Sequence, residues 1–333
     1  MSLNNIPDSN NFILTEGSVI ELIRRSGKYR LNENLLNSSM LFDDAGRKIL
    51  DSVYRAYIDI AIASGKSIII QTPSWRANPE RCNSEGLDYR EVNHAAYCFL
   101  KMIRDDYRDH EHQIFIAGLM GPKADAYNPI DALAESDSEL FHRAQYETLF
   151  NSGIDLAIAA TLPALGEAIG LAKVMSASHK CDSCARPECT GDSLSGTNCV
   201  DYIISFLIGS DGKLPDGTYL GKAIEETDDK VSVRPLGYMV NCVHPSNLIK
   251  ALNIEQNRTE LVRKRLIGIQ GNSSLLSPDE LNGRSTLDRS DQTEWINANK
   301  VLFKEYGLWI FGGCCGTDPD YINQLAHTLK EAQ

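Results

Sequence analysis

Residues 47–71 read RKILDSVYRAYIDIAIASGKSIIIQ, and this stretch sets the pattern for the whole chain. Segment 47–63 carries apolar residues at helical spacing, and Ser64-Gly65 breaks the period. Ser67-Ile68-Ile69-Ile70-Gln71 follows, with three β-branched residues in a row. A short continuous apolar run reads as a strand buried on both faces, as in a parallel sheet covered by helices. Working outward, the same kind of run recurs as Phe12-Ile13-Leu14, Ile114-Phe115-Ile116-Ala117-Gly118 and Leu156-Ala157-Ile158-Ala159-Ala160. It recurs again as Tyr202-Ile203-Ile204-Ser205-Phe206, Gly237-Tyr238-Met239-Val240-Asn241, Leu266-Ile267-Gly268-Ile269-Gln270 and Leu308-Trp309-Ile310-Phe311-Gly312, making eight runs in all. Segments 138–150, 165–175, 244–252, 291–306 and 320–330 have helical spacing. Eight strands alternating with helices predict an α/β fold, a (β/α)8 TIM barrel, as one domain over residues 1–333. A doubly wound open sheet is the rival, but no Gly-rich dinucleotide fingerprint follows the first run.

Three stretches interrupt the alternation. Residues 75–87 follow the second strand, 179–199 form a Cys-rich insertion after a helix, and 271–288 follow the seventh strand. Loops after strands lie at the catalytic face of such barrels, so the first and third are expected to shape a site. The insertion is expected at the opposite face. Lys plus Arg total 33 and Asp plus Glu total 45, a net charge of −12. No electrostatic attraction to nucleic acid or to anionic lipid is expected of such a chain. No apolar run reaches the ~20 residues that span a bilayer. The first residues, MSLNNIPDSNN, lack the pattern of an export signal, so a cytoplasmic location is expected. In that reducing compartment, nine cysteines point to metal or catalysis rather than to disulfides.

The sixth run ends in Val240-Asn241-Cys242-Val243-His244-Pro245 and the eighth in Gly312-Gly313-Cys314-Cys315-Gly316-Thr317. Neighbouring side chains on a strand point to opposite faces. Adjacent cysteines can therefore serve one ion only if the backbone leaves the strand there, and Gly312, Gly313 and Gly316 would supply that freedom. Three thiolates with one open position form the pattern of a catalytic zinc site. The alternative is a set of buried, inert thiols.

The run GGCCGTDPDYI, with MVNCVHP upstream, resembles the homocysteine S-methyltransferase family. AGLMGPKADAY, SFLIGSDGKLPDGTYLGKAI and GIQGNSS extend the resemblance over nearly the whole chain. The resemblance implies a (β/α)8 barrel in which Cys242, Cys314 and Cys315 hold zinc and the acceptor thiol takes the fourth position. It implies two small-molecule partners, a thiol and a cationic methyl donor: S-methylmethionine, S-adenosylmethionine or betaine. Self-association into a homo-oligomer is left open. Zinc would deprotonate a thiol whose ordinary pKa is about 8.5 while leaving it nucleophilic. Two other functions remain on the same barrel: a corrinoid-linked methyltransferase or demethylase, and a non-catalytic sensor that binds zinc and a thiol.

The chain departs from the family at the substrate. Thr15 and Glu16 stand where the family has Asp-Gly, and Ala160 stands where it has a Glu that holds the substrate amino group. A buried ammonium without a partner costs several kcal/mol, so the acceptor is homocysteine or another thiol. Expected substrate contacts are Thr15, Glu16, Gln71, Thr72, Trp75, Ala160 and Asn241, with Trp75 either packing on a methylated cation or covering the barrel mouth. Glu16 or Glu167 could replace the missing acidic contacts, the alternative for Glu167 being a solvated helix residue. Cys181, Cys184, Cys189 and Cys199, with His179 as a spare ligand, could hold a second, structural zinc or stay as thiols. Cys82 and Cys98 read as packing residues in a loop and a helix.

Overall fold

The three isoleucines of the second strand divide between two cores. Ile69 joins Ile13, Phe115, Ile158, Ile203, Met239 and Ile310 in one cluster, while Ile68 and Ile70 join the helix-covered cluster that includes Tyr54, Ile58, Leu100 and Ile103. Alternation across a strand demands this, because successive side chains face opposite sides of the sheet. The inner cluster fills the barrel and the outer one lies between barrel and helices. The coordinates are those of a computed structural model that describes residues 11–178, 200–276, 280 and 288–333.

The strands are β1 (Ile13–Thr15), β2 (Ile68–Gln71), β3 (Ile114–Met120), β4 (Leu156–Leu162), β5 (Asp201–Leu207), β6 (Gly237–Val243), β7 (Leu266–Gly271) and β8 (Ile310–Gly313). They close in sequence order, all parallel, with β1 also paired to β8 through Ile13–Ile310 and Leu14–Phe311. The (β/α)8 barrel is therefore present. Helices Asp44–Ser64, Glu135–Ser152, Leu165–Ala177, Pro245–Leu252, Gln292–Tyr306 and Pro319–Glu331 coincide with the helical spacing in the sequence.

Two long helices, Tyr89–Asp106 and Leu220–Lys230, are additional to that reading. Part of the 75–87 stretch is also helical, at Pro79–Ser84. Its start carries a local signal: Asn78 accepts from the Arg81 N–H and proline takes the first position. Among the described residues no helix is long and apolar enough to cross a membrane. The Cys181, Cys184, Cys189 and Cys199 set, with His179, lies outside the described residues.

Two strand ends are bulged. Register shifts occur between Ala159 and Leu162 on β4 and between Asn241 and Val243 on β6. Each bulge places a non-glycine residue at positive φ, Thr161 at 64° and Cys242 at 57°. Such backbone is held only where its surroundings fix it, at a cost of order 1–3 kcal/mol per residue.

Candidate active site

A single amide fixes both bulges. Asn241 Oδ1 accepts from the Thr161 N–H at 2.9 Å and from Ser205 Oγ at 2.7 Å. Its Nδ2 donates to Thr161 Oγ1 at 2.6 Å and to Cys242 Sγ at 3.5 Å. Asn241 is buried and so has no water to substitute for these partners. The β6 bulge turns the Cys242 sulfur toward the end of β8. There the chain leaves the strand at Gly313, and Gly316 takes φ 81° in the turn that follows. Gly312 and Gly313 serve a different purpose from the turning freedom read in the sequence. A Cβ on Gly312 would overlap Thr15 Oγ1, and one on Gly313 would overlap Thr317 Oγ1. They are glycine because other groups approach closely. The tandem cysteines are anchored by main chain, with the Cys314 N–H donating to Gly271 O at 2.8 Å and the Gly316 N–H to Glu21 Oε2.

The sulfurs of Cys242, Cys314 and Cys315 lie within 4.8 Å of one another. Thiol hydrogens of Cys314 and Cys315 aimed at Cys242 pull that thiol well below its ordinary value, and the Tyr127 hydroxyl and Asn241 amide help. Their hydrogen bonds to Cys242, with burial and its charge adding to them, in turn hold Cys314 well above its ordinary value and push Cys315 up to about 12. Three sulfurs converge, yet only one of them readily carries charge by itself. A donor set of this kind fits a soft divalent ion, which would let all three ionise. His244, next in the sequence but one, is not part of the set. Its Nδ1 accepts from the Ser246 N–H at 3.1 Å and its Nε2 meets Ser290 Oγ at 2.8 Å, so it caps Pro245–Leu252.

The sulfurs open onto a cavity of about 440 Å3. Of the residues expected to contact substrate, Glu16, Gln71, Thr72, Trp75, Ala160 and Asn241 line it. Thr15 does not line it: its hydroxyl accepts from Gln270 Nε2 at 3.0 Å and donates to Glu16 O at 3.2 Å, beside Gly312. Trp75 is half-buried, its indole N–H points to Ala160 O at 3.4 Å, and the Arg76 guanidinium sits 4.9 Å from its ring centre. One partner of cationic type therefore already covers this ring.

Glu16 is buried, with Oε1 accepting from the Gln71 N–H at 3.1 Å and Oε2 unpartnered among the described residues. Burial raises its carboxyl from the ordinary 4.5 to about 8, against the pull of backbone hydrogen bonds. Between these values the folded protein holds a proton that the unfolded chain has released. Stability contributed by this group is thus complete below about pH 4.5 and is lost as pH rises through about 8. In Glu16→Gln the melting temperature should fall less than the parent's across that window. Parallel melting curves for the two proteins would contradict the assignment.

Sequence reasoning misses Tyr127, which stands on the loop after β3. Its hydroxyl donates to Cys242 Sγ at 3.7 Å, and the charge on Cys242 holds that phenol well above its ordinary value, so it remains a donor. An aromatic residue in a loop after a strand is the available signal. Glu167 corrects a second expectation. It is not solvated but wholly buried on Leu165–Ala177, accepting from the Lys123 N–H at 2.8 Å and paired with His142 Nε2 at 3.0 Å, and it does not line the cavity. Cys82 packs with Leu35, Ala77 and Val92, whereas Cys98 is exposed with Sγ 3.3 Å from His94 Nε2.

A family model described as homocysteine S-methyltransferase matches residues 13–329. The chain belongs to the homocysteine S-methyltransferase family. It is a methyltransferase of that family, and the three converging sulfurs sit at the two motifs that carried the resemblance. One relative of this methyltransferase is homocysteine S-methyltransferase YbgG of Bacillus subtilis (strain 168), 22% identical over 343 residues, covering 97% of this chain and 96% of that one. Two crystal structures of the Escherichia coli homocysteine methyltransferase MmuM have the same fold. The metallated form has TM-score 0.69 at 20% identity and the oxidized form 0.71 at 21%, each covering 97% of this chain and 96% of that one.

Proposed function

We propose that this methyltransferase moves a methyl group from a cationic donor to a small thiol held beside Cys242, Cys314 and Cys315, with zinc as the bound metal and homocysteine or a related thiol as acceptor. The observation that carries the reading is the convergence of three sulfurs within 4.8 Å on a cavity large enough for a thiol and a donor group. Zinc in this site would strip the proton from the acceptor thiol and keep its sulfur nucleophilic.

The chain's own residues do the remaining work by positioning. Asn241 holds Cys242 and Thr161 in their turned backbones, so the sulfur faces the cavity. The Gly316 N–H to Glu21 bond and the Thr317 hydroxyl, 2.7 Å from Cys314 O, hold the tandem turn. Trp75, Leu119 and Ala160 give the cavity apolar wall against which a donor methyl can sit in line with the sulfur. MmuM, with which this chain shares its fold, is a homocysteine methyltransferase with a metallated form, which supports the choice of chemistry. The barrel is taken to span 1–333, with 179–199 inserted between Leu165–Ala177 and β5.

Purified protein should hold about one zinc per chain. It should give methylated product from at least one pairing of S-methylmethionine, S-adenosylmethionine or betaine with homocysteine or another small thiol, and stripping zinc should stop the reaction. No product from any pairing, or turnover untouched by metal removal, would overturn the reading.

A further inference from the structure

The acids in the cavity wall are accounted for, but the cations are not. Glu21 is occupied by the Gly316 N–H and by Arg25. Glu33 is exposed at the rim, 3.7 Å from Arg30. Glu16 keeps its proton at neutral pH, because burial lifts it to about 8. Arg24 and Arg76 also line this cavity, and among the described residues neither guanidinium makes a hydrogen bond or an ion pair. Arg76 has only the Trp75 ring beneath it, at 4.9 Å, and it feels Asp125 without pairing with it. Arg24 acts electrostatically on Cys315, and Arg76 on Tyr127, whose hydroxyl donates to Cys242, so both arginines share the cavity wall with the sulfurs. A further donor stands unused: Gln71 is 3% exposed, lines the cavity, and its Nε2 has no partner among the described residues. The buried, unpaired Gln71 N–H and the half-buried, unpaired Arg76 guanidinium are costly to leave in the cavity wall unless a ligand completes them, while Arg24 adds an exposed positive charge beside them.

We propose that Arg24, Arg76 and Gln71 form an anion subsite beside the three sulfurs, so that the acceptor is a thiol acid gripped by its carboxylate or a similar anion, whether or not it also carries an ammonium group. This rests on the thiol-binding reading above. Planar guanidinium groups and an amide N–H are suited to an oxyanion. The wall offers no unpaired carboxylate of comparable strength for an ammonium. Discrimination among thiols should therefore follow their negative charge rather than their positive one.

The test is titration of the zinc-loaded full chain with four thiols of similar size: 3-mercaptopropionate, homocysteine, cysteamine and 1-propanethiol. The cobalt-loaded protein, read by its sulfur-to-metal absorption, provides a second measurement. The two acids should bind within a few fold of each other and at least about tenfold tighter than the cationic and neutral thiols, a gap typical of a charge-assisted contact. Arg76→Gln and Arg24→Gln should each weaken the acids about tenfold and leave 1-propanethiol unchanged, while Arg76→Lys should recover part of the loss. Equal binding of all four thiols, or acid binding indifferent to both arginine variants, would overturn the subsite while leaving thiol binding intact. If no thiol of any charge perturbs the cobalt spectrum, the thiol-binding reading itself falls and the subsite with it.

Discussion

Cys314→Ala is expected to empty the metal site and to lower kcat/KM for methyl transfer by at least about a thousandfold, the scale on which losing a metal-activated nucleophile acts. The residue is well suited to the test. Cys242 sits at φ 57° inside a bulge held by Asn241, so replacing it would disturb the strand as well as the site. Cys314 is only half-buried, and its backbone is fixed independently of its sulfur, by the bond to Gly271 O at 2.8 Å and by the Thr317 hydroxyl at 2.7 Å. Alanine there removes one sulfur and little else. The apo variant should melt close to the apo parent, which separates loss of a ligand from loss of fold. Metal content by elemental analysis and the cobalt charge-transfer band give readouts that do not depend on turnover. Cys98→Ala, exposed on Tyr89–Asp106, is the control and should change neither. Full metal occupancy and full rate in Cys314→Ala would remove the basis for assigning these sulfurs to the site.

How much of this is legible in the sequence depends on what each residue has to reveal. The three consecutive isoleucines of β2 can be read because burial on both faces leaves a local mark, an apolar run with no alternation. The same holds for Leu156–Ala160 and Ile114–Gly118, but not for the ends of β4 and β6. There Thr161 and Cys242 enter the left-handed region, and nothing in the letters distinguishes a bulged Thr or Cys from a straight one. Tyr89–Asp106 and Leu220–Lys230 are easily passed over because their outer faces are rich in charge, although each buries an apolar stripe. The cysteine motifs locate the site because tandem cysteines beside glycines have few structural uses. The glycines themselves mislead. Gly312 makes room for Thr15 and Gly313 for Thr317, contacts that join β8 to β1 and to the turn that follows β8. The Gly312–Thr15 contact exists only once the barrel has closed, and the Gly313–Thr317 contact only once the turn after β8 has formed, so neither is marked by the residue types alone. Tyr127 and the two arginines of the cavity wall are invisible for a similar reason. The path of the loops that carry Tyr127 and Arg76, and the placement of helix Ile20–Ser26 that carries Arg24, decide whether these side chains reach the cavity, and both are tertiary facts.

Glu167 is the sharpest case of local pattern misleading, and it carries the largest expected effect on stability. In the first turn of Leu165–Ala177 an acidic residue is favoured by the helix dipole even when solvated, so its presence there looks ordinary. The structure instead encloses it fully, together with His142, in the contact between Leu165–Ala177 and Glu135–Ser152. Its Oε1 satisfies both His142 Nε2 and the Lys123 N–H, while its backbone carbonyl accepts from Ser138 Oγ at 2.7 Å. Glu167→Ala would strand a buried imidazole and a partly buried backbone donor and leave a void between two helices. The cost should be about 3–5 kcal/mol in urea unfolding, the range for removing one member of a buried pair. Glu167→Gln, which keeps the acceptor and the volume, should lose only about 1–2 kcal/mol. The consequence should also reach the active site. Lys123 opens the loop that ends at Tyr127, and the Tyr127 hydroxyl lies 3.7 Å from Cys242. Hydrogen exchange in that loop should accelerate in Glu167→Ala even at temperatures where the barrel remains folded. An alanine variant within about 0.5 kcal/mol of the parent, a change typical of a solvated surface residue, would show that the pair does not act as a structural link and that Glu167 behaves as a solvated side chain.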